Sequence, residues 1–152
     1  MPVLLEQLNQ DLNSALKQRD EVAVSALRFL ISGLHNAKIA KGQDLTDAEI
    51  IDEIGKEAKR HKESIDAFRS GAREDLVKKE MAELAVLSKY LPQPLTETEL
   101  EKIVDEAIAA VGASSAADFG RVMSTVLSSA RARADGAKVA EIVRRKLAPN
   151  PN

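Results

Sequence analysis

Apolar residues recur at intervals of three and four along nearly the whole chain. The first segment places Leu5, Leu8, Leu12 and Leu16 on one stripe, which is the period of one face of an α-helix. Six further segments repeat this period, and glycine, proline or capping residues separate them. We see no strand pattern and no internal repeat. The pattern predicts an all-α protein with seven helices.

The clearest boundary lies between residues 91 and 95. Pro92 and Pro94 stand one residue apart there, so two backbone donors are missing and the residues before the prolines favour extended geometry. We therefore expect a four-helix N-terminal domain over residues 1–91 and a three-helix C-terminal domain over residues 95–148. Both lengths are within the usual range for domains.

Composition excludes several classes of function. The chain has no cysteine and two histidines, and aromatic residues make up 3% of it. Disulfides, thiolate metal sites and RNA modules that stack bases on aromatic rings are therefore excluded. His61 falls on the apolar stripe of the third helix, which favours a structural histidine, and Glu57 one turn earlier would supply only a second metal ligand. We expect no metal ion, no cofactor and no membrane span, and we predict a cytoplasmic protein.

Charge is distributed unevenly along the C-terminal domain. Residues 94–118 hold six acids and one base, whereas residues 119–152 hold seven bases and two acids. Arg131 and Arg133 precede the predicted last helix, and Lys138 lies in its first turn. Helix N-termini attract anions, so this pattern is that of a phosphate-binding surface. The alternative is that these cations form only a solvated helix face.

No motif in the sequence pairs a nucleophile with a base, and no glycine-rich phosphate loop is present. We therefore assign no catalytic residue.

Specific residues resemble the GatB/YqeY family, in order and over nearly the whole chain. The resemblance is carried by Leu27-Arg28-Phe29-Leu30, Asn36, Ser64 to Phe68, Gly71 to Leu76, Glu80, Glu83, Tyr90-Leu91-Pro92, Leu95, Gly120 to Met123, Arg133 to Gly136, Val143 and Leu147. It implies two all-helical domains, of which the smaller is similar to the tail of the B subunit of the glutamine-dependent tRNA amidotransferase. In that enzyme the tail contacts tRNA and the chemistry takes place elsewhere.

The resemblance also adds candidate residues for RNA binding. It points to Arg121 and to the turn at Gly136, which join Arg131, Arg133 and Lys138. Two positions depart from the pattern that relatives often show. Ser124 stands in place of a lysine, and Ala132 in place of a glycine.

Three hypotheses follow from these observations. The first is a non-catalytic accessory protein that binds tRNA or another structured RNA through the basic C-terminal domain. The second is an adaptor between proteins that docks through helical faces, with the acidic helix at residues 97–111 as its candidate surface. The third is a component with carbon–nitrogen ligase activity that uses glutamine as the amido donor. We rank them in this order.

Overall fold

The computed structural model describes residues 2–149, and every regular element in that range is helical. This confirms the predicted all-α class. The chain divides into two compact units, one ending at Leu91 and the other beginning at Pro92. The α-helices are α1 (Val3–Gln18), α2 (Glu21–Lys41), α3 (Asp47–Ser70), α4 (Glu74–Ser88), α5 (Glu97–Val111), α6 (Phe119–Ala130) and α7 (Gly136–Leu147). Short 3-10 turns at Ala116–Asp118 and Arg131–Arg133 lie on either side of α6.

The first unit is built around a hairpin of the two helices α3 and α4, against which α1 and α2 pack. Its core consists of aliphatic side chains from all four helices and the loop before α3. These are Leu8, Leu27, Leu30, Leu34, Leu45, Ile50, Ile54 and Leu87. Full burial of one such side chain is worth about 1.5–3 kcal/mol, so this core is the main source of the unit's stability.

The second unit packs three helices around a smaller aliphatic core. Its buried residues are Leu100, Val104, Ala107, Val122, Val126, Val139, Ile142, Val143 and Leu147. Thr96 begins α5 with a complete capping box, because its hydroxyl accepts from the Glu99 amide while the Glu99 carboxylate accepts from the Thr96 amide. Gly112 ends the same helix in the left-handed conformation, with φ +66°.

Two helix faces differ from those that the apolar period predicts. At the end of α1 Ala15 is buried, whereas Leu16 of the predicted stripe is 42% exposed. In α4 the apolar period of Val77, Met81, Leu84 and Leu87 predicts that Met81 faces the core. Met81 is instead 51% exposed and Glu83 is 7% exposed, so a carboxylate takes the core position. The reason lies across the hairpin, where His61 of α3 contacts the acidic face of α4.

None of the helices in the described range combines the length and the apolarity that crossing a bilayer requires.

Candidate functional site

The uneven charge of the C-terminal segment is largely paired inside the second unit. Three acids at four-residue intervals on α5 face three cations of α7 across the helix interface. The pairs are Glu97 with Lys138 at 3.6 Å, Glu101 with Arg145, and Asp105 with Lys146 at 2.9 Å. The sequence predicted a separate basic surface and acidic helix, but the fold pairs three of these cations with three of these acids.

Arg121 lies in the first turn of α6 and is held locally. Its guanidinium donates to the carbonyl of Val111 at the end of α5 (2.7 Å) and to the Asp118 carboxylate (3.3 Å). The backbone N–H groups of Ser114 and Ser115, and then Arg121, lower the pKa of Asp118, so this carboxylate stays charged. Much of the arginine side chain remains exposed (63%).

The turn between α6 and α7 carries the other predicted arginines. Arg131 is exposed and follows α6 directly, with φ +43° and ψ −129°. Arg133 is half-buried, and its Nε donates to the carbonyl of Gln93 at 2.9 Å. The carbonyl of Arg133 in turn accepts from the Leu95 amide, so the turn is tied to the segment that precedes α5.

The first turn of α7 holds the remaining two predicted residues. Gly136 is the first helical residue, and Asp135 before it caps the helix by accepting from the Ala137 amide. Lys138 is half-buried and also approaches Glu141 at 3.9 Å, besides its contact with α5. The structure therefore brings Arg131, Arg133, Gly136 and Lys138 into one region. Arg121 lies about 15 Å away, at the opposite end of α6, given the rise of about 1.5 Å per residue.

Sequence reasoning missed a second group of polar residues, in the first unit. His61 of α3 contacts Glu80 of α4, with 2.5 Å between Nδ1 and Oε2, and Glu83 lies one turn further along α4. Only Glu57, on the same helix as His61, was considered as its partner. The signal that could have found the group is the pair of glutamates three residues apart on the neighbouring helix, because such residues share a helix face.

Comparison with known proteins identifies the family. The family model described as "Yqey-like protein" matches residues 5–147 of the chain. The chain belongs to the YqeY-like family. This confirms the resemblance stated above as far as the YqeY-like members are concerned.

Two relatives from fungi are similar to this chain. Both are called "Altered inheritance of mitochondria protein 41, mitochondrial". The protein from Pyrenophora tritici-repentis is 35% identical over 136 residues, which are 87% of this chain and 74% of the relative. The protein from Saccharomyces cerevisiae strain YJM789 is 34% identical over 95 residues, which are 62% of this chain and 51% of the relative. This chain thus matches about half the length of the yeast protein.

The names of these relatives contradict the predicted cytoplasmic location, because both proteins are called mitochondrial. That prediction was wrong for a physical reason. It rested on the absence of a secretory signal and of a membrane span, and neither absence distinguishes the cytoplasm from an organelle interior.

Proposed function

We propose that this YqeY-like protein is a non-catalytic accessory protein that binds structured RNA, such as tRNA, through the turn between α6 and α7. The RNA contacts are made by Arg131 and Arg133, with Lys138 and Gly136 beside them. Arg121 forms an outlying contact at the other end of α6. The relation to the amidotransferase tail is part of this proposal, since it supplies the reason to choose tRNA.

The backbone of Arg131 is the observation that carries the proposal. A residue other than glycine has a strained backbone at φ +43°, at a cost of about 1–3 kcal/mol, and such strain concentrates at functional sites. Here it holds an exposed guanidinium at the surface of a turn. A glycine would fit this backbone with less strain but would bring no charge, so the presence of arginine favours a role for the side chain.

The ion pairs between α5 and α7 limit the size of the binding surface. Lys138, Arg145 and Lys146 each contact an acid of α5, so an RNA phosphate would have to compete for them. Arg144 lies over the ring of Phe119, 5.0 Å from its centre, but remains exposed. We therefore expect few phosphates to be neutralised and the dependence of affinity on salt to be moderate.

The test is a titration of labelled tRNA with the intact protein at several salt concentrations. Each phosphate contact contributes about 0.7–0.9 to the slope of log affinity against log salt. The double variant Arg131→Ala/Arg133→Ala should therefore lose about 1.4–1.8 of that slope. The matched control is Lys78→Ala/Lys79→Ala, which removes two exposed cations from α4. Equal slopes for the wild type and the arginine variant would refute the site, as would an equal loss in the control.

The hypothesis of a protein adaptor predicts a different outcome of the same titration. Its candidate surface was α5, but Glu97, Glu101 and Asp105 of that helix contact cations of α7. A stable complex with a protein partner, together with tRNA binding that does not respond to salt, would favour the adaptor over the RNA-binding protein. Formation of a glutamine-dependent product by the pure chain would favour the ligase, and we expect none.

A further inference from the structure

One imidazole and two carboxylates converge between α3 and α4 in the first unit. His61 comes from α3, and Glu80 and Glu83 come from one face of α4. The Nδ1 atom of His61 lies 2.5 Å from Oε2 of Glu80 and 3.9 Å from Oε2 of Glu83. One potential ligand atom from each of the three side chains lies within 4.8 Å of the other two. This compact set of one nitrogen and two oxygen donors joins two glutamates of α4 to a histidine that precedes them by 19 and 22 positions in sequence.

All three side chains are largely removed from water. Counting side-chain atoms alone, the exposed fractions are 14% for His61, 18% for Glu80 and 10% for Glu83. A buried charge is costly unless it is paired. With both glutamates ionised, a protonated imidazole leaves the group with one excess negative charge, and a neutral imidazole leaves it with two. A divalent cation on a neutral imidazole would bring the group to neutrality.

Two cations that precede His61 on α3 contact other acids. Lys56 contacts Glu53 at 3.2 Å, and Arg60 contacts Glu57 at 2.8 Å. A simple pair between His61 and Glu80 accounts for the short contact between them. It does not neutralise Glu83, whose Oε2 is too far from the imidazole for a hydrogen bond and whose Oε1 accepts from the uncharged hydroxyl of Ser25. A second buried carboxylate beside an imidazole is better explained by a ligand shared by all three groups.

The distances suit a metal ion after small side-chain shifts. Nitrogen and oxygen ligands lie about 2.0–2.2 Å from Zn²⁺, so neighbouring ligand atoms in a tetrahedral site are about 3.4 Å apart. The two distances from Nδ1 of His61, 2.5 Å and 3.9 Å, lie on either side of this value. Changes of less than about 1 Å therefore suffice for these two contacts, within the reach of side-chain rotation.

We propose that His61, Glu80 and Glu83 bind one divalent first-row transition-metal ion, with water completing its coordination. One imidazole with two carboxylates favours Zn²⁺, Co²⁺ or Mn²⁺ over Mg²⁺, which prefers oxygen ligands alone. Ser25 of α2 supports the site from outside, since its hydroxyl donates to Oε1 of Glu83 at 3.3 Å. Such outer hydrogen bonds orient a carboxylate ligand. The ion would connect α3 to α4 and, through Ser25, to α2.

The test is a calorimetric titration of chelator-treated full-length protein with Zn²⁺, repeated with Mg²⁺. We expect one Zn²⁺ per chain and much weaker binding of Mg²⁺. Glu80→Gln and Glu83→Gln each remove a ligand charge and should weaken Zn²⁺ binding about tenfold or more, and Ser25→Ala should weaken it less. The control is His35→Gln, which alters the other histidine, an exposed residue of α2. Circular dichroism establishes that each variant is folded.

A second measurement uses the wild type and therefore does not depend on the folding of any variant. Zn²⁺ should shift the imidazole resonances of His61 in the NMR spectrum and leave those of His35 in place, with the His35→Gln spectrum providing the assignment. The absence of one-to-one Zn²⁺ binding by the wild type would overturn the proposal. Equal effects of Zn²⁺ on both histidines would overturn it too, as would unchanged affinity in both glutamine variants.

Discussion

Glycine should be more stabilising than alanine at position 131, which reverses the usual order of these two residues. Both substitutions remove the guanidinium and its contacts, so their difference isolates the backbone. Alanine keeps the strain of φ +43°, about 1–3 kcal/mol, whereas glycine adopts this conformation freely. Glycine loses about 0.5–1 kcal/mol through its greater freedom in the unfolded chain. We therefore expect Arg131→Gly to exceed Arg131→Ala in stability by about 1 kcal/mol.

The assay is urea and thermal unfolding followed by circular dichroism. A difference of about 1 kcal/mol corresponds to roughly 2–8 °C in Tm, and the larger shift applies if the second unit unfolds by itself. The control pair is Arg133→Gly and Arg133→Ala, because Arg133 does not have a positive φ. There alanine should be the more stable of the two. If glycine is also less stable than alanine at position 131, the strained backbone on which the proposed RNA site rests does not exist.

The same variants separate stability from binding. Both Arg131→Gly and Arg131→Ala should weaken tRNA binding by similar factors, although they differ in stability. A variant that is more stable yet binds less RNA cannot owe its loss of binding to unfolding. If the more stable variant bound tRNA as tightly as the wild type and only the less stable variant bound it weakly, a direct role for the Arg131 side chain would be contradicted.

Two further predictions concern contacts elsewhere in the chain. Glu101→Gln should free Arg145 from its acidic partner and raise the affinity for tRNA. The slope of log affinity against log salt should become steeper by about 0.7–0.9. Lower affinity would contradict an RNA surface in this unit. Burial and the hydrogen bond to Asp11 raise the pKa of Tyr90, the one tyrosine of the chain, above its ordinary value of 10.0. The stability that this tyrosine contributes is present below about pH 10 and is lost as pH rises above it. Tyr90→Phe should therefore lower the free energy of unfolding by about 1 kcal/mol at pH 7 and by less at high pH. The prediction would be contradicted if the tyrosine absorbance of the folded wild type titrated near pH 10.

The helical class could be predicted from the sequence because the apolar period and the caps point to the same elements. Gly42 and Gly112 end their helices in the left-handed conformation, as glycine favours. Thr46 with Glu49 three residues later is the sequence pattern of a capping box, which forms only in part. The Thr46 hydroxyl accepts from the Glu49 amide, but the Glu49 carboxylate contacts Lys41 instead. Local patterns therefore predict where a helix begins more reliably than they predict what its side chains contact.

The candidate sites were harder to predict because they depend on which helices become neighbours. Net charge by segment showed an excess of acids before residue 118 and an excess of bases after it, but not that Glu101 meets Arg145. Likewise, the apolar period of α4 placed Met81 inside and gave no reason to bury Glu83. Glu83 becomes interpretable only when α3 brings His61 beside it. Both cases are pairings between helices, which a single sequence does not specify.

The most direct test of RNA binding is a titration of the unmodified protein with tRNA and with an RNA duplex of similar length. Both titrations should be made at about 50 and 200 mM salt, a range over which phosphate contacts weaken measurably. We expect tighter binding of tRNA than of the duplex at both concentrations, with an affinity for tRNA that falls as salt increases. Equal and weak binding of the two RNAs would reduce the interaction to non-specific electrostatics and would contradict the proposed function.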